Sequence, residues 1–167
     1  MTAIRRAGLG DLAALKTLIE SAYRGDSARR GWSHEADLLD DERITESELR
    51  DALADTQSAM LVAGDGAALA GCVLVRRLDA TRAYLGTLCV DPLRQSGGLG
   101  RQLLDAAEGH ATSLGCRRME MTVIMSRDEL IGWYGRRGYA PTGETRPFPA
   151  PGLPIHFVVL EKPLVPG

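Results

Sequence analysis

This chain has little of the residue types that carry most metal and covalent chemistry. Its 167 residues include three histidines and three cysteines, Cys72, Cys89 and Cys116. The cysteines are odd in number and far apart, with no Cys-x-x-Cys, and no histidine stands at ligand spacing. A disulfide framework and a zinc site are therefore both unexpected, no metal is implied, and a reducing compartment fits. Excess charge of one sign is also lacking. With 20 basic and 22 acidic residues, the formal net charge of −2 offers no argument for nucleic acid or for an anionic membrane as a partner. Asp11, Lys16 and Glu20 interrupt the first apolar stretch, against a signal peptide, and no run approaches the ~20 apolar residues of a membrane span. The expectation is a cytoplasmic protein with no internal repeat, linker or low-complexity tract.

What is present suits one domain. The length allows a sizeable core, and 44% hydrophobic with 25% charged residues is ordinary for a globular protein. Ala3 to Arg6 reads as a short strand. Leu12, Leu15, Leu18, Ile19 and Ala22 then mark an amphipathic helix opened by Asp11. Thr45-Glu46-Ser47-Glu48 is a capping box that introduces a helix burying Leu49 and Leu53. Ala59 to Ala63, Ala68 to Val75 and Ala83 to Val90 read as successive strands, with Asp65-Gly66 as a hairpin signal. Leu99, Leu103, Ala107, Ala111 and Leu114 recur at helical spacing and stop at Gly115. Met119 to Ile124 reads as a strand. Ser126-Arg127-Asp128-Glu129 reads as a second capping box, opening a helix through Leu130, Ile131 and Tyr134 that ends at Gly138. Tyr139 starts a short strand, and Ile155 to Leu160 forms the last. The predicted class is α/β (α+β): a mixed central sheet of about six to seven strands, flanked on both faces by about four helices, in the order βααβββαβαββ.

The densest signal lies where the Ala83 to Val90 strand meets the next helix. Pro92 cannot extend a strand ladder, and the chain then passes Gln95-Ser96-Gly97-Gly98-Leu99-Gly100-Arg101. Read as the first turn of a helix, Gln95 to Arg101 presents N–H groups without intrahelical partners. Glycines there let a ligand approach, and the helix dipole favours negative charge. The pattern reads as an anion site, with phosphate as the expected anion. A P-loop would need Lys and Ser/Thr after the last glycine, where Arg101 and Gln102 stand. A dinucleotide fingerprint would need glycine at the position of Leu103.

The remaining pattern, Gln-x-x-Gly-x-Gly at Gln95, Gly98 and Gly100, resembles the acetyl-CoA signature of the GNAT N-acetyltransferase superfamily. Val90-Asp91-Pro92 before it and Leu103-Leu104 after it match that family's context, and the element order is also the family's. A second segment, Trp133-Tyr134-Gly135-Arg136-Arg137-Gly138-Tyr139, resembles the family's aromatic-Tyr-x-x-x-Gly-Tyr/Phe motif. The resemblance implies acetyl-CoA as cosubstrate and direct attack by an amine in a ternary complex, with no acyl-enzyme. It places backbone groups of Leu88, Cys89 and Val90 along the pantetheine arm. Gln95, Ser96, Gly97, Gly98, Leu99, Gly100 and Arg101 would hold the pyrophosphate, and Tyr134 would protonate the leaving thiolate. A thiol pKa near 8.5 and a phenol pKa near 10 make that transfer feasible without large tuning.

The chain departs from the family pattern in places. Gln95 replaces a commoner arginine and Ser96 a frequent glycine. Arg127 stands where many relatives carry a cofactor-touching asparagine, and arginine could reach phosphate instead. Cys89 has no evident base and reads as an inert strand residue. Tyr84, Leu85, Gly86 and Thr87 offer no carboxylate as general base, so ordered water comes first and Glu120 second, with His34 and Glu35 as further candidates. Trp32, His34 and Glu35, within 24–43, and the proline-rich 144–154 are expected to shape the acceptor pocket. The expected acceptor is a primary amine of a small molecule. The alternatives are a protein N-terminus or lysine, or a non-catalytic acyl-CoA-sensing module on the same fold. Family members often pair through C-terminal strands, so a homodimer is expected.

Overall fold

A computed structural model describes residues 3–30, 45–65, 68–91, 98–147 and 156–164. Strand β1 (Ile4–Arg6) leads through a 3-10 turn at Leu9–Asp11 into α1 (Leu12–Arg30), followed by α2 (Glu46–Ala54). Strands β2 (Ser58–Asp65), β3 (Ala68–Arg77) and β4 (Arg82–Val90) form a meander. Helix α3 (Leu99–Ser113), β5 (Arg118–Ile124), α4 (Asp128–Gly135), β6 (Ala140–Pro147) and β7 (His156–Pro163) complete the order. All seven strands join one sheet, β1-β2-β3-β4-β5-β7-β6, in which only β4 and β5 run parallel.

The sheet buries two faces because its central strands are apolar on both sides. On one face α3 lays Leu103, Leu104, Ala107 and Ala111 over Val73, Val75, Ala83, Leu85 and Met121. On the other, Leu15, Leu18 and Ile19 of α1 and Leu49 of α2 cover Met60, Val62 and Cys72. Gly71 explains how closely α3 approaches: a Cβ there would lie 2.7 Å from Leu103 Cδ1 and 3.0 Å from the Cys89 carbonyl oxygen.

Some local readings change. Asp11 does not open α1 as a helix cap. Its carboxylate accepts from the Gly8 N–H at 2.9 Å and pairs with Arg5 at 2.7 Å, closing the 3-10 turn ahead of the helix. Thr45 does cap α2, accepting from the Glu48 N–H at 3.1 Å. Ser126 does not cap α4: the N-cap is Arg127, with no side-chain cap bond, and the helix itself ends at Gly135. Gly138 then turns the chain with φ 101°. The short strand expected after Tyr139 runs eight residues, mostly exposed, at the sheet edge. Its polar sequence hides it from any test based on apolar alternation.

Candidate active site

Two irregularities in β4 create the site. The first is a bulge. Val73 pairs with Leu88 and Val75 with Leu85, so Leu74 faces two residues, Gly86 and Thr87. The extra residue shifts the alternation by one. Leu88 and Val90 thereby pack on the α3 side, while Cys89 packs on the α1 side. The second irregularity is a fork. The β4–β5 ladder holds only from Arg82–Arg118 to Tyr84–Glu120. Beyond it, the β5-facing edge of Leu85 to Cys89 meets no strand among the described residues. Strand β5 continues to Ile124 on its β7 side alone. A wedge therefore opens between the two strands toward their C-terminal ends.

Helix α3 begins at the mouth of that wedge. It starts at Leu99, so Gly98 caps the first turn and is not part of it. Gly98 is the N-cap at φ 75°, ψ 13°, a left-handed conformation that costs other residues about 1–2 kcal/mol. Gly100 leaves room for the Trp133 indole, whose ring lies 3.8 Å from the position a Cβ would take. Leu99 is buried in the core, and Arg101 is exposed on the first turn. Gln95, Ser96 and Gly97 lie outside the described residues, as do Trp32, His34 and Glu35.

Tyr134 comes from α4 on the α3 face and is 6% exposed. Its ring makes edge contacts with Trp133 (centroids 5.0 Å apart) and Tyr139 (5.8 Å). Burial holds its phenol well above the usual tyrosine pKa, with Arg127 acting against that shift and Cys89 adding to it. The phenol is thus strongly tuned, contrary to the expectation from unperturbed values, and the shift runs upward. The same neighbours show that the fold brings Tyr134, Cys89 and Arg127 together at the end of β4.

Cys89 lies opposite Cys72 across the β3–β4 ladder. A hydrogen bond with Cys89, followed by burial, pushes the Cys72 thiol up, as befits an inert pair. Glu120 sits elsewhere, at the closed end of the fork. It is 4% exposed and accepts from Arg146 at 2.9 Å, with Arg82 at 3.6 Å. Its carboxylate is committed to tying β4, β5 and β6 together.

Sequence reasoning passed over Tyr84. Its hydroxyl lies 2.8 Å from Thr122 Oγ1, joining the last paired residue of β4 to β5 just inside the fork. Arg76 stacks on its ring, 5.5 Å from the centroid. The available signal is a hydroxyl-bearing aromatic within a mostly apolar strand. No group of three or more metal-ligating side chains occurs among the described residues. No described helix is long and apolar enough to cross a membrane.

Comparison with known proteins agrees with this fold. The acetyltransferase (GNAT) family model matches residues 12–139. An amino-acid acetyltransferase of Azotobacter vinelandii is 30% identical over 86 residues, which make up 52% of this chain and 19% of that protein. The chain thus spans about a fifth of the length of this curated relative. The PaiA N-acetyltransferase of Thermoplasma acidophilum, solved with coenzyme A, superposes with a TM-score of 0.78 at 17% identity, covering 98% of this chain and 99% of that one. The ribosomal-protein alanine N-acetyltransferase of Escherichia coli superposes at 0.75 and 17% identity, covering 98% and 94%. At such identities the two structures speak to the fold alone, whereas the family model covers most of the chain. The chain belongs to the acetyltransferase (GNAT) family.

Proposed function

We propose that this chain acetylates the amino group of a small molecule by direct attack within a ternary complex. One observation carries the reading: the β4–β5 wedge, the first turn of α3 and Tyr134 converge at the C-terminal end of β4. The residues present fit coenzyme A. An open strand edge suits the amide-bearing pantetheine arm, which would pair there as an added strand. The N-terminus of α3, bare of acidic residues in its first turn, suits the pyrophosphate. Bound acetyl-CoA supplies the activated acetyl group.

The chain's own residues then do three things. The backbone of Leu88 to Val90 orients the thioester, and an N–H on its wedge-facing edge polarises the carbonyl as negative charge develops. Tyr134 donates a hydrogen bond to the departing sulfur. Because burial holds its phenol proton, Tyr134 stabilises the thiolate as a donor and gives up that proton less readily than an exposed phenol would. At the fork, Tyr84 and Thr122 line the floor, where water accepts the proton of the incoming amine. Glu120, held by Arg146 and Arg82, keeps that floor rigid.

A panel of amines with acetyl-CoA, followed by release of free thiol, tests this reading. Turnover with one class of small amine supports it, and turnover only with a peptide N-terminus or lysine moves the acceptor to protein. The second reading is a non-catalytic acyl-CoA-binding module. It draws on the ion pairing of Glu120, which leaves no described carboxylate free at the fork, and it predicts coenzyme A binding without turnover for any amine.

A further inference from the structure

We propose that the guanidinium groups of Arg101, Arg136 and Arg137 form a subsite for the 3′-phosphate of coenzyme A. The subsite would make the protein select coenzyme A over its dephospho form. The inference rests on the cofactor placement argued above and adds a site to it.

The geometry begins at Trp133. Its indole packs over Gly100, at the second residue of α3. The Arg137 guanidinium lies on the same indole, 3.7 Å from the ring centroid. It is fixed there by donation from Nη1 to the Trp133 carbonyl oxygen at 2.8 Å. Arg101 leaves the same turn of α3 that Trp133 covers, and Arg136 precedes Arg137. Three cations therefore gather where α4 meets the start of α3, outside the wedge that takes the thioester.

Several arginines of the chain are already neutralised by a carboxylate. Arg5, Arg82 and Arg146 each have a carboxylate partner within 3 Å, at Asp11, Asp79 and Glu120. Among the described residues, Arg101, Arg136 and Arg137 form no ion pair. Nε of Arg137 is buried with no hydrogen-bond partner. Burial, then the charges of Arg101 and Arg136, hold the Arg137 pKa below its ordinary value, and Asp105 is the one nearby acid acting the other way. An arginine stacked on an aromatic ring and crowded by like charge is stabilised by a multiply charged anion.

Coenzyme A has two anionic groups. The pyrophosphate is addressed by backbone amides at the start of α3, which leaves the guanidinium groups beside them for the other. That group is a phosphomonoester carrying about −1.5 to −2 charge near neutrality, with oxygens suited to forked arginine donors. Charge and chemistry both match.

Calorimetric titration of the full chain with coenzyme A and with dephospho-coenzyme A tests the assignment. The variants are Arg137→Met and Arg101→Ala, with Arg118→Ala at the start of β5 as a distant control. The wild type and the control should bind coenzyme A at least about tenfold more tightly than the dephospho form. Either variant should cut that ratio to about threefold or less, and Arg137→Met should leave dephospho-coenzyme A affinity within about twofold of wild type. Arg101 is exposed, so its variant guards against a folding defect in Arg137→Met. Equal wild-type affinities for the two ligands overturn the subsite and leave the cofactor site standing. A ratio that survives while both ligands weaken equally also overturns it, because the arginines would then serve the pyrophosphate. Failure of the wild type to bind either ligand overturns the cofactor placement as well.

Discussion

Tyr134 shows what a single residue contributes and what burial does to it. Desolvation by the Trp133 and Tyr139 rings keeps the phenol neutral across the working pH range. Tyr134→Phe should retain the fold and bind coenzyme A within about twofold of wild type, while turnover falls by about 10²–10³. Thiol-release kinetics beside calorimetry on one sample separate the two effects. Asp11 illustrates titration with a structural consequence. The hydrogen bond from Arg5, then that from the Gly8 N–H, holds its carboxyl at about 2. Because the folded value lies below the unfolded one, its contribution is complete above about pH 4 and is lost as pH falls toward 2. Asp79, lowered chiefly by Arg82, acts in the same direction. Asp11→Asn should lower stability across the neutral region, measured by urea unfolding, and converge on the wild type as pH falls toward 2, so that the acid limb flattens. At this scale the left-handed turn at Gly138 was legible because motif spacing encodes it. Neither the Tyr84–Thr122 bond nor the Arg137–Trp133 stack was, since each joins residues that only the folded chain brings together.

Elements were legible wherever periodicity is strong. All seven strands and four helices of the expected order are present, with boundaries moved by a few residues. What local pattern could not show was the β4 bulge and the loss of β4–β5 pairing, because ladder partners leave no mark on either strand alone. The same reason explains Ser126: its motif matches a capping box, but the chain turns one residue later, at Arg127. The close seat of α3 on the sheet makes a prediction at this scale. Gly71→Ala places a Cβ against Leu103 and the Cys89 carbonyl, and should destabilise the protein by about 1–3 kcal/mol. It should also weaken coenzyme A binding, since the displaced atoms belong to the helix and strand that frame the wedge. Urea midpoints read the first effect and calorimetry the second. Unchanged stability would mean that α3 can slide away at no cost.

For the molecule as a whole, the sheet order places helices on both faces of β2 to β4 and leaves polar β6 at an edge. That edge carries Glu144 and Arg146, paired with each other at 2.9 Å, charges of the kind that discourage strand addition. Pairing of two copies through the C-terminal strands, expected from the resemblance, should therefore be weak. Sedimentation at several concentrations should show a monomer–dimer exchange, and a tight dimer throughout would contradict that. The acceptor was not legible at any scale, because the segments expected to shape its pocket, 24–43 and 144–154, carry no motif. The central claim is that acetyl-CoA occupies the wedge between β4 and β5. Amide hydrogen exchange with and without acetyl-CoA tests it most directly. The account predicts slowed exchange at Leu88 to Val90 and at Gly98 to Arg101, with little change in β2 or α2. Protection confined to other elements, or none on saturation, would contradict it.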